Sequence, residues 1–589
     1  MLENVNKELV PIKAHYFLFN AATGPIVPFL PTIAKQLGFS GFLVGGIYTI
    51  LPISGLIAKP LFGGLADKYR LHKMFFLIFQ AILAVGFFLI YFIPKIHVAA
   101  PVHLACHDAT FMEVCSPNGF SEKLLRAVVT PNATNSKCHL SCNATSSIYK
   151  ELCSGWQAIQ YCGLVNTNVS PDTRFDFDTE FSMDQDLTVG KCVDIRLRNV
   201  TFADGIPHIP VCDTTIRASC IAECFEVSAL KKMLQEVNGD SSMTSAYQFH
   251  LFLWAAIVSW VGMAIVVSIA DAICFDLLGD ERRKEYGKQK MWGSIGFGIF
   301  GISAGYLVDV LSHGSIEKDY TSIFYIMLIA MIFDMIVSAT LKKVGTNECW
   351  QNELSVFWEL GSVAREGRVL VFVFWCIGAG MCTGVVWNFL FWYTEDLATG
   401  GEATWLKTLQ GLMTGVQCFL GELPFNFISG RVLKKLGHIN VMSLVLLIYA
   451  VRFMAYSLVT RAWVILIVEL LHGPTLGLCW PTMVSYGDKV APSGTRATIQ
   501  GFVGGIFEGI GVACGSLLCG KLMDSYGGVI TFRIFSAGAL VWLSIYWILQ
   551  LLLRKAKAYP IHQGHNHLAS YATPSDAILM TMSQELQTY

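Results

Sequence analysis

Residues 63–73 read Gly63-Gly64-Leu65-Ala66-Asp67-Lys68-Tyr69-Arg70-Leu71-His72-Lys73, a charged turn between two apolar runs at 42–64 and 74–94. Each run is close to the ~20 residues that a helix needs to cross a hydrocarbon core. Asp67 falls at a helix end, where a carboxylate can face another helix's N-terminus and nearby basic residues. Working outward, the same length criterion finds further runs near 14–34, 247–270, 291–311, 320–341, 368–392, 405–429, 439–459, 462–486, 498–522 and 530–553, twelve in all. Composition agrees: 53% of the chain is hydrophobic and 14% charged, against about 25% charged in soluble domains. The net charge of −1 and the lack of a basic array with interleaved aromatics argue against a nucleic-acid partner. The expected fold class is an all-α membrane protein of twelve helices in two six-helix halves, with the lipid bilayer as its first partner. The start, MLENVNKELVPIKAH, lacks a small-residue cleavage site after its apolar run and reads as an uncleaved first span.

Between the third and fourth runs, residues 95–246 break the pattern. The stretch is polar and holds ten of the eighteen cysteines: Cys106, Cys115, Cys138, Cys142, Cys153, Cys162, Cys192, Cys212, Cys220 and Cys224. It also holds the N-x-[ST] sequons at Asn132, Asn143, Asn168 and Asn199. Together these describe a disulfide-stapled, glycosylated segment in an oxidising compartment. The ten cysteines leave the pairing open. Cys138-x3-Cys142 and Cys220-x3-Cys224 could mimic metal ligands, but disulfides fit that compartment better, and neither a metal nor a cofactor is expected. Loop charge supplies a separate test of topology. With a cytoplasmic N-terminus, the inner loops hold Lys68, Arg70, Lys73, Arg282, Arg283, Lys284, Lys288, Lys290, Lys342, Lys343, Arg365, Arg368, Arg431, Lys434, Lys435, Lys489 and Arg496, while the short outer loops hold little beyond Lys318 and Arg461. This obeys the positive-inside rule and puts the insert outside. Both termini are then cytoplasmic, in the plasma membrane or an endomembrane.

The chain accordingly divides into helices 1–3 over 1–94, the extracellular insert over 95–246, helices 4–6 over 247–341, a polar inner connector over 342–367, a second six-helix half over 368–553, and a polar tail over 554–589 whose His562, His565 and His567 are read as incidental. Gly293, Gly296 and Gly301 recur at one offset as Gly501, Gly504 and Gly509, as two related halves would require.

Ionisable residues inside spans are costly, so each is a site hypothesis. The first half offers Lys59, which can snorkel, and Asp271 and Asp334; Asp276 and Asp309 are expected to be solvated at span ends. The second half is denser, with Glu422, Arg452, Glu469, His472 and Glu508. Glu469 and His472 are three apart and share a helix face. A carboxylate in a bundle holds its proton more tightly, and a nearby arginine loosens it, so this set reads as a proton-handling network. Pro25, Pro28 and Pro31, then Pro52, Pro60, Pro424, Pro474 and Pro481, mark broken helices of the kind tolerated beside cavities. Trp387, Asn388, Phe389 and Trp392 add stacking and hydrogen-bonding groups. No nucleophile elbow, phosphate loop or zinc-type spacing is present, so an enzyme is not expected.

Several stretches resemble a known family. Residues 63–73 resemble the G-x-x-x-D-[RK]-x-x-x-x-[RK] loop of the major facilitator superfamily, which implies a gating role for Gly63, Asp67, Lys68 and Arg70; the corresponding loop Gly430–His438 lacks the acid. Pro60–Lys68, Tyr286–Gly293, Gly421-Glu422-Leu423-Pro424 and Glu469–Gly473 are similar to the lactose-permease-like branch. The insert's placement, with His472–Trp480, Ser485-Tyr486, Ala491-Pro492 and Ala497–Gly501, resembles the animal major facilitator superfamily domain-containing protein 6 family. The resemblance implies alternating access, coupling or binding positions at Glu422, Arg452 and His472, and sugar-contacting positions at Asp271 and Lys290. It departs at Lys290, which replaces an arginine fork. It departs also at Phe297, which stands for a stacking tryptophan, and at Thr475, which stands for the proton-handling carboxylate. Glu469 or Glu508 would then take the proton role. The reading is proton-coupled symport of a small polar solute. The alternative is a cell-surface receptor binding a protein partner through the insert; the resembling family has been proposed to bind class I histocompatibility proteins.

Overall fold

The computed structural model describes residues 7–69, 71–94, 99–106, 109–115, 137–158, 172–181, 192–202, 205–212, 215–224, 230, 233–234, 237, 244–282, 286–313, 318–341, 366–490 and 502–558. Asn132, Asn168, Cys162, Arg70, most of the connector and most of the tail lie outside these. So do the side chains of Gly63, Asp67 and Lys68, although the helix backbone runs through them to Tyr69.

The apolar runs are helices, as their length demands. α1 covers Val10–Leu37, α2 Gly41–Tyr69, α3 His72–Ile90, α4 Tyr247–Arg282, α5 Tyr286–Leu311, α6 Thr321–Ala339 and α7 Gly367–Leu397. α8 covers 406–436, α9 His438–Leu458, α10 Ala462–Gly487, α11 502–526 and α12 528–558. Among the described residues, ten stretches are long and apolar enough to cross a membrane by themselves. The last of these, Phe502–Arg554, bends at Gly527, whose φ of 75° only glycine adopts without strain. α8 is not among them: its middle carries Gln410, Gln417 and Glu422, and its ends Lys407, Arg431, Lys434 and Lys435. The expectation of twelve spans is therefore corrected to ten to twelve, according to how these two segments are counted. The prolines act where expected: α1 is cut by a turn at 27–29 between Val10–Ile26 and Leu30–Leu37. Counted in pieces, the insert follows the fourth helix rather than the third.

The insert corrects the all-α expectation. Its strands are β1 Ala99–Cys106, β2 Thr110–Cys115, β3 Lys137–Thr145, β4 Asp172–Phe181, β5 Cys192–Thr201, β6 Pro207–His208 and β7 Ile216–Cys224, all antiparallel, in the order β2-β1-β7-β3-β4-β5-β6. A further β2–β5 pairing closes the sheet into a barrel, which removes free edges. Period-two burial fills its interior with Val193, Ile195 and Leu197 from β5, Phe175, Phe177 and Phe181 from β4, and Leu140 and Cys142 from β3. Cys138–Cys224 and Cys142–Cys220 join directly opposed residues of β3 and β7, and Cys115–Cys192 does the same for β2 and β5. Cys106–Cys212 is the fourth bridge, and Cys153 is bonded to a partner outside the described residues.

The two helical groups, α1–α6 and α7–α12, meet along two seams, α2 against α11 and α5 against α8. Glycines let the backbones touch. A Cβ on Gly45 would stand 2.7 Å from the carbonyl oxygen of Ser516, and one on Gly411 2.7 Å from that of Gly301. Of the repeated glycines, Gly296 abuts Phe17 of α1 and Gly509 abuts Leu56, whereas Gly504 faces open space.

Candidate functional site

At the end that carries the insert, the groups are tied by charge. Lys35 of α1 lies 3.0 Å from Glu395 and 3.0 Å from Asp396 of α7, and Lys407 of α8 also contacts Glu395. Asp309 of α5 accepts from the Thr408 amide at 2.6 Å and its hydroxyl at 2.9 Å, and pairs with Lys318 at 3.0 Å. Its carboxylate is buried between groups rather than solvated, contrary to the sequence expectation. Asp524 of α11 accepts from the Gly41 and Phe42 amides at the start of α2, a carboxylate on a helix N-terminus. Past Glu422 the lower part of α8 draws away from α5, and the Glu422 side chain keeps 30% of its surface exposed there.

On the C-terminal side of this junction lies a connected network. Arg452 is wholly buried. Its Nε donates to the Tyr456 hydroxyl at 2.7 Å, Nη1 to the Thr475 hydroxyl at 2.8 Å, and Nη2 to Glu469 Oε2 at 2.7 Å and His472 Nδ1 at 3.3 Å. Glu469 also accepts from the Tyr456 hydroxyl and from Gln417 Nε2, the latter at 2.6 Å. His472 turns its other nitrogen toward Glu422 Oε1, 3.7 Å away, and Ser294 of α5 donates to Glu422 Oε2 at 2.9 Å. Glu422, Arg452, Glu469 and His472 are thus brought together, and one hydroxyl ties them to the other half. Backbone geometry supports the placement: π-helical turns at Val416–Glu422, Gly473–Gly477 and Ile506–Val512 contain or adjoin Glu422, His472 and Glu508. Such turns are common at functional sites, and Pro424 and Pro474 withhold backbone donors from the usual ladder.

Glu508 is not in this cluster. It pairs at 3.4 Å with Lys59 of α2, across the seam. On the N-terminal wall, Asp271 accepts from the Tyr16 hydroxyl at 2.8 Å and from Lys290 at 3.3 Å, and Lys290 donates to the Tyr286 hydroxyl at 3.0 Å. Asp334 is elsewhere, fully buried, with His15 Nδ1 2.8 Å from one oxygen and Gln80 Nε2 2.8 Å from the other. Sequence reading missed Ser294, Gln417, Tyr456, Tyr16, Tyr286, His15 and Gln80, uncharged or weakly charged partners that hydropathy does not flag. Of the 63–73 motif, the side chains of Gly63, Asp67, Lys68 and Arg70 lie outside the described residues, while Lys73 donates to the Ala339 and Leu341 carbonyls at 2.6 and 2.9 Å, at the end of α6. The Thr475 departure has a role after all, since its hydroxyl accepts from Arg452. In the insert, Asn143 is exposed, whereas Asn199 is engaged with Glu180 through both amide atoms.

Two helical groups meeting on glycine seams around polar walls define the class: a multi-pass membrane protein with a transporter fold. The chain belongs to the MFS_1 like family, whose model matches residues 9–534. It is 21% identical over 581 residues to major facilitator superfamily domain-containing protein 6-like protein B of Xenopus laevis, covering 94% of this chain and 92% of that protein. It is also 21% identical over 302 residues to the maltose permease of Geobacillus stearothermophilus, covering 50% of this chain and 71% of the permease. Among solved structures, the nucleoside transporter NupG aligns with a TM-score of 0.54 at 12% identity, covering 92% of this chain and 99% of NupG.

Proposed function

We propose that the protein carries a small polar solute across a membrane by alternating access, coupled to protons, with the insert outside and both termini cytoplasmic. The observation that carries the reading is the Ser294–Glu422–His472–Arg452–Glu469 chain. It runs from the C-terminal half to Ser294 of α5 and crosses the contact that rocking would break. Asp271 and Lys290 form the facing wall and take polar groups of the solute. Glu508 and Lys59 act at the seam, and residues 63–73 gate the inner end. Uptake of a broad metabolite mixture into vesicles at two pH values tests this. Accumulation that follows an imposed pH gradient and falls in Glu422→Gln or Arg452→Ala is expected; accumulation indifferent to both refutes coupling.

A second reading is favoured by one observation, the closed and disulfide-stapled barrel. As a rigid outer domain it suits recognition of a protein partner, class I histocompatibility proteins among them. Deleting residues 101–240 separates the readings: transport that survives with partner binding lost assigns recognition to the insert.

A further inference from the structure

Carboxylates inside a bilayer are tolerated when a cation offsets them, and Glu422 is one beside which, among the described residues, no lysine or arginine is placed. Among the described residues, Asp271 has Lys290, Glu469 has Arg452, Glu508 has Lys59, Asp334 has His15, Asp309 has Lys318, and Glu395 has Lys35 and Lys407. Glu422 has none of comparable strength. Its basic neighbour is His472, 3.7 Å away, beyond hydrogen-bonding distance. Arg452 donates to Nδ1 of that ring, which requires a lone pair there and leaves the ring hydrogen on Nε2, a neutral imidazole. Glu422 is also the accessible acid of this network: its side chain is 30% exposed, while Arg452, Glu469 and His472 are buried.

We infer that Glu422 is the docking point for a positively charged nitrogen of the transported solute. This rests on the transport reading and names the solute class, a small organic cation or an amine-bearing zwitterion. Ser294 Oγ donates to one carboxylate oxygen, and the Nε2 hydrogen of His472 points toward the other. A cation completes this arrangement, because both neighbours are uncharged hydroxyl or ring groups that leave the carboxylate's charge without a counterpart. An ammonium group reaching the exposed part of Glu422 supplies the missing charge without displacing them. Lys290 lies one helical turn before Ser294 on the same face of α5. Its charge repels the solute's cationic end toward Glu422 and attracts a polar or anionic end.

The test uses the full chain in lipid nanodiscs, with choline and ethanolamine as probes against their uncharged analogues dimethylbutanol and ethylene glycol at matched ionic strength. Binding is read by calorimetry, and uptake by vesicle accumulation. The wild type is expected to bind a cationic probe and not its analogue. Glu422→Gln should weaken that binding by about tenfold or more, the loss of ~1.4 kcal/mol, and Glu422→Asp should keep part of it. Equal binding in wild type and Glu422→Gln overturns the inference, as does the absence of binding by either cation. Uptake of neutral solutes alone, with Glu422→Gln abolishing only the response to pH, overturns it in favour of a proton site while the transport reading stands. Cation binding that depends on Glu422 without any accumulation supports the docking point and refutes transport.

Discussion

Arg452→Met should destabilise the folded chain through a charge, more than through the hydrogen bonds it deletes. Methionine keeps most of the buried methylene stem and removes all the guanidinium donors. Hydrogen bonds between membrane helices are worth only about 0.6 kcal/mol each, so the contacts to Thr475 and His472 together contribute about 1 kcal/mol, and the bond to Tyr456 on the same helix adds a similar small amount. The carboxylate of Glu469, 2.7 Å from the guanidinium and wholly buried, keeps its bonds from Tyr456 and Gln417 but loses its cation. Breaking a buried pair from one side costs about 3–5 kcal/mol, so the charge term decides. Glu469→Gln alone strands the arginine and should cost a similar amount. In the double variant neither charge is left, and the cost should fall short of the sum of the single ones by about 2–3 kcal/mol. The assay is thermal unfolding of the four proteins in lipid nanodiscs. Additive losses would refute the view that these two groups are held as an ion pair. Arg452→Lys restores charge without the fork and should lie between wild type and Arg452→Met.

Four further outcomes follow from the rest of the structure. Replacing Cys138 and Cys142 by serine should open the barrel and expose β3 and β7 to hydrogen exchange, because both bridges cross that one strand pair. Lys35→Glu should loosen the insert-end contact and raise cysteine labelling near Trp392, and adding Glu395→Lys and Asp396→Lys should restore protection; unchanged labelling in the single variant contradicts the gate. Gly411→Leu should disrupt the α5–α8 seam, where its side chain would meet the Gly301 carbonyl, and lower the unfolding temperature by several degrees. In the insert, burial and then Glu113 raise the Asp194 carboxyl above its ordinary value, with Arg217 opposing. A raised value in the folded state means that the stabilising contribution is present in acid and is lost as pH rises through it. Asp194→Asn should therefore flatten the pH dependence of exchange in β5 just above the usual carboxylate range.

The spans were legible because hydropathy over a fixed length is set by the bilayer. The two ambiguous ones trace to particular residues: the charges of α8 interrupt its apolar run, and Gly527 turns a continuous helical stretch back on itself. The barrel was legible in principle. Val193, Ile195 and Leu197 alternate with Asp194, Arg196 and Arg198, a period-two pattern that the cysteines and sequons overshadowed. Which cysteines pair was not legible, because it follows from strand register, as Cys142 opposite Cys220 shows. In the site, the expensive groups could be found one by one, and the Glu469–His472 spacing joined two of them. What a sequence withholds is how each helix is rotated and which helix faces it. That decides why Glu508 meets Lys59 rather than Arg452, why Asp334 meets His15, and why Asp309, close to a helix end, is buried against Thr408.

Alternating access itself is tested most directly by paired distance measurements between spin labels on the full chain in nanodiscs, with Leu311 and Thr404 labelled at the insert end and Lys288 and Lys435 at the other, recorded from pH 5 to 8. The account predicts two populations whose distances change in opposite senses, one pair lengthening as the other shortens. A single, pH-independent distance for each pair would contradict it and leave the helices as a fixed anchor for the barrel.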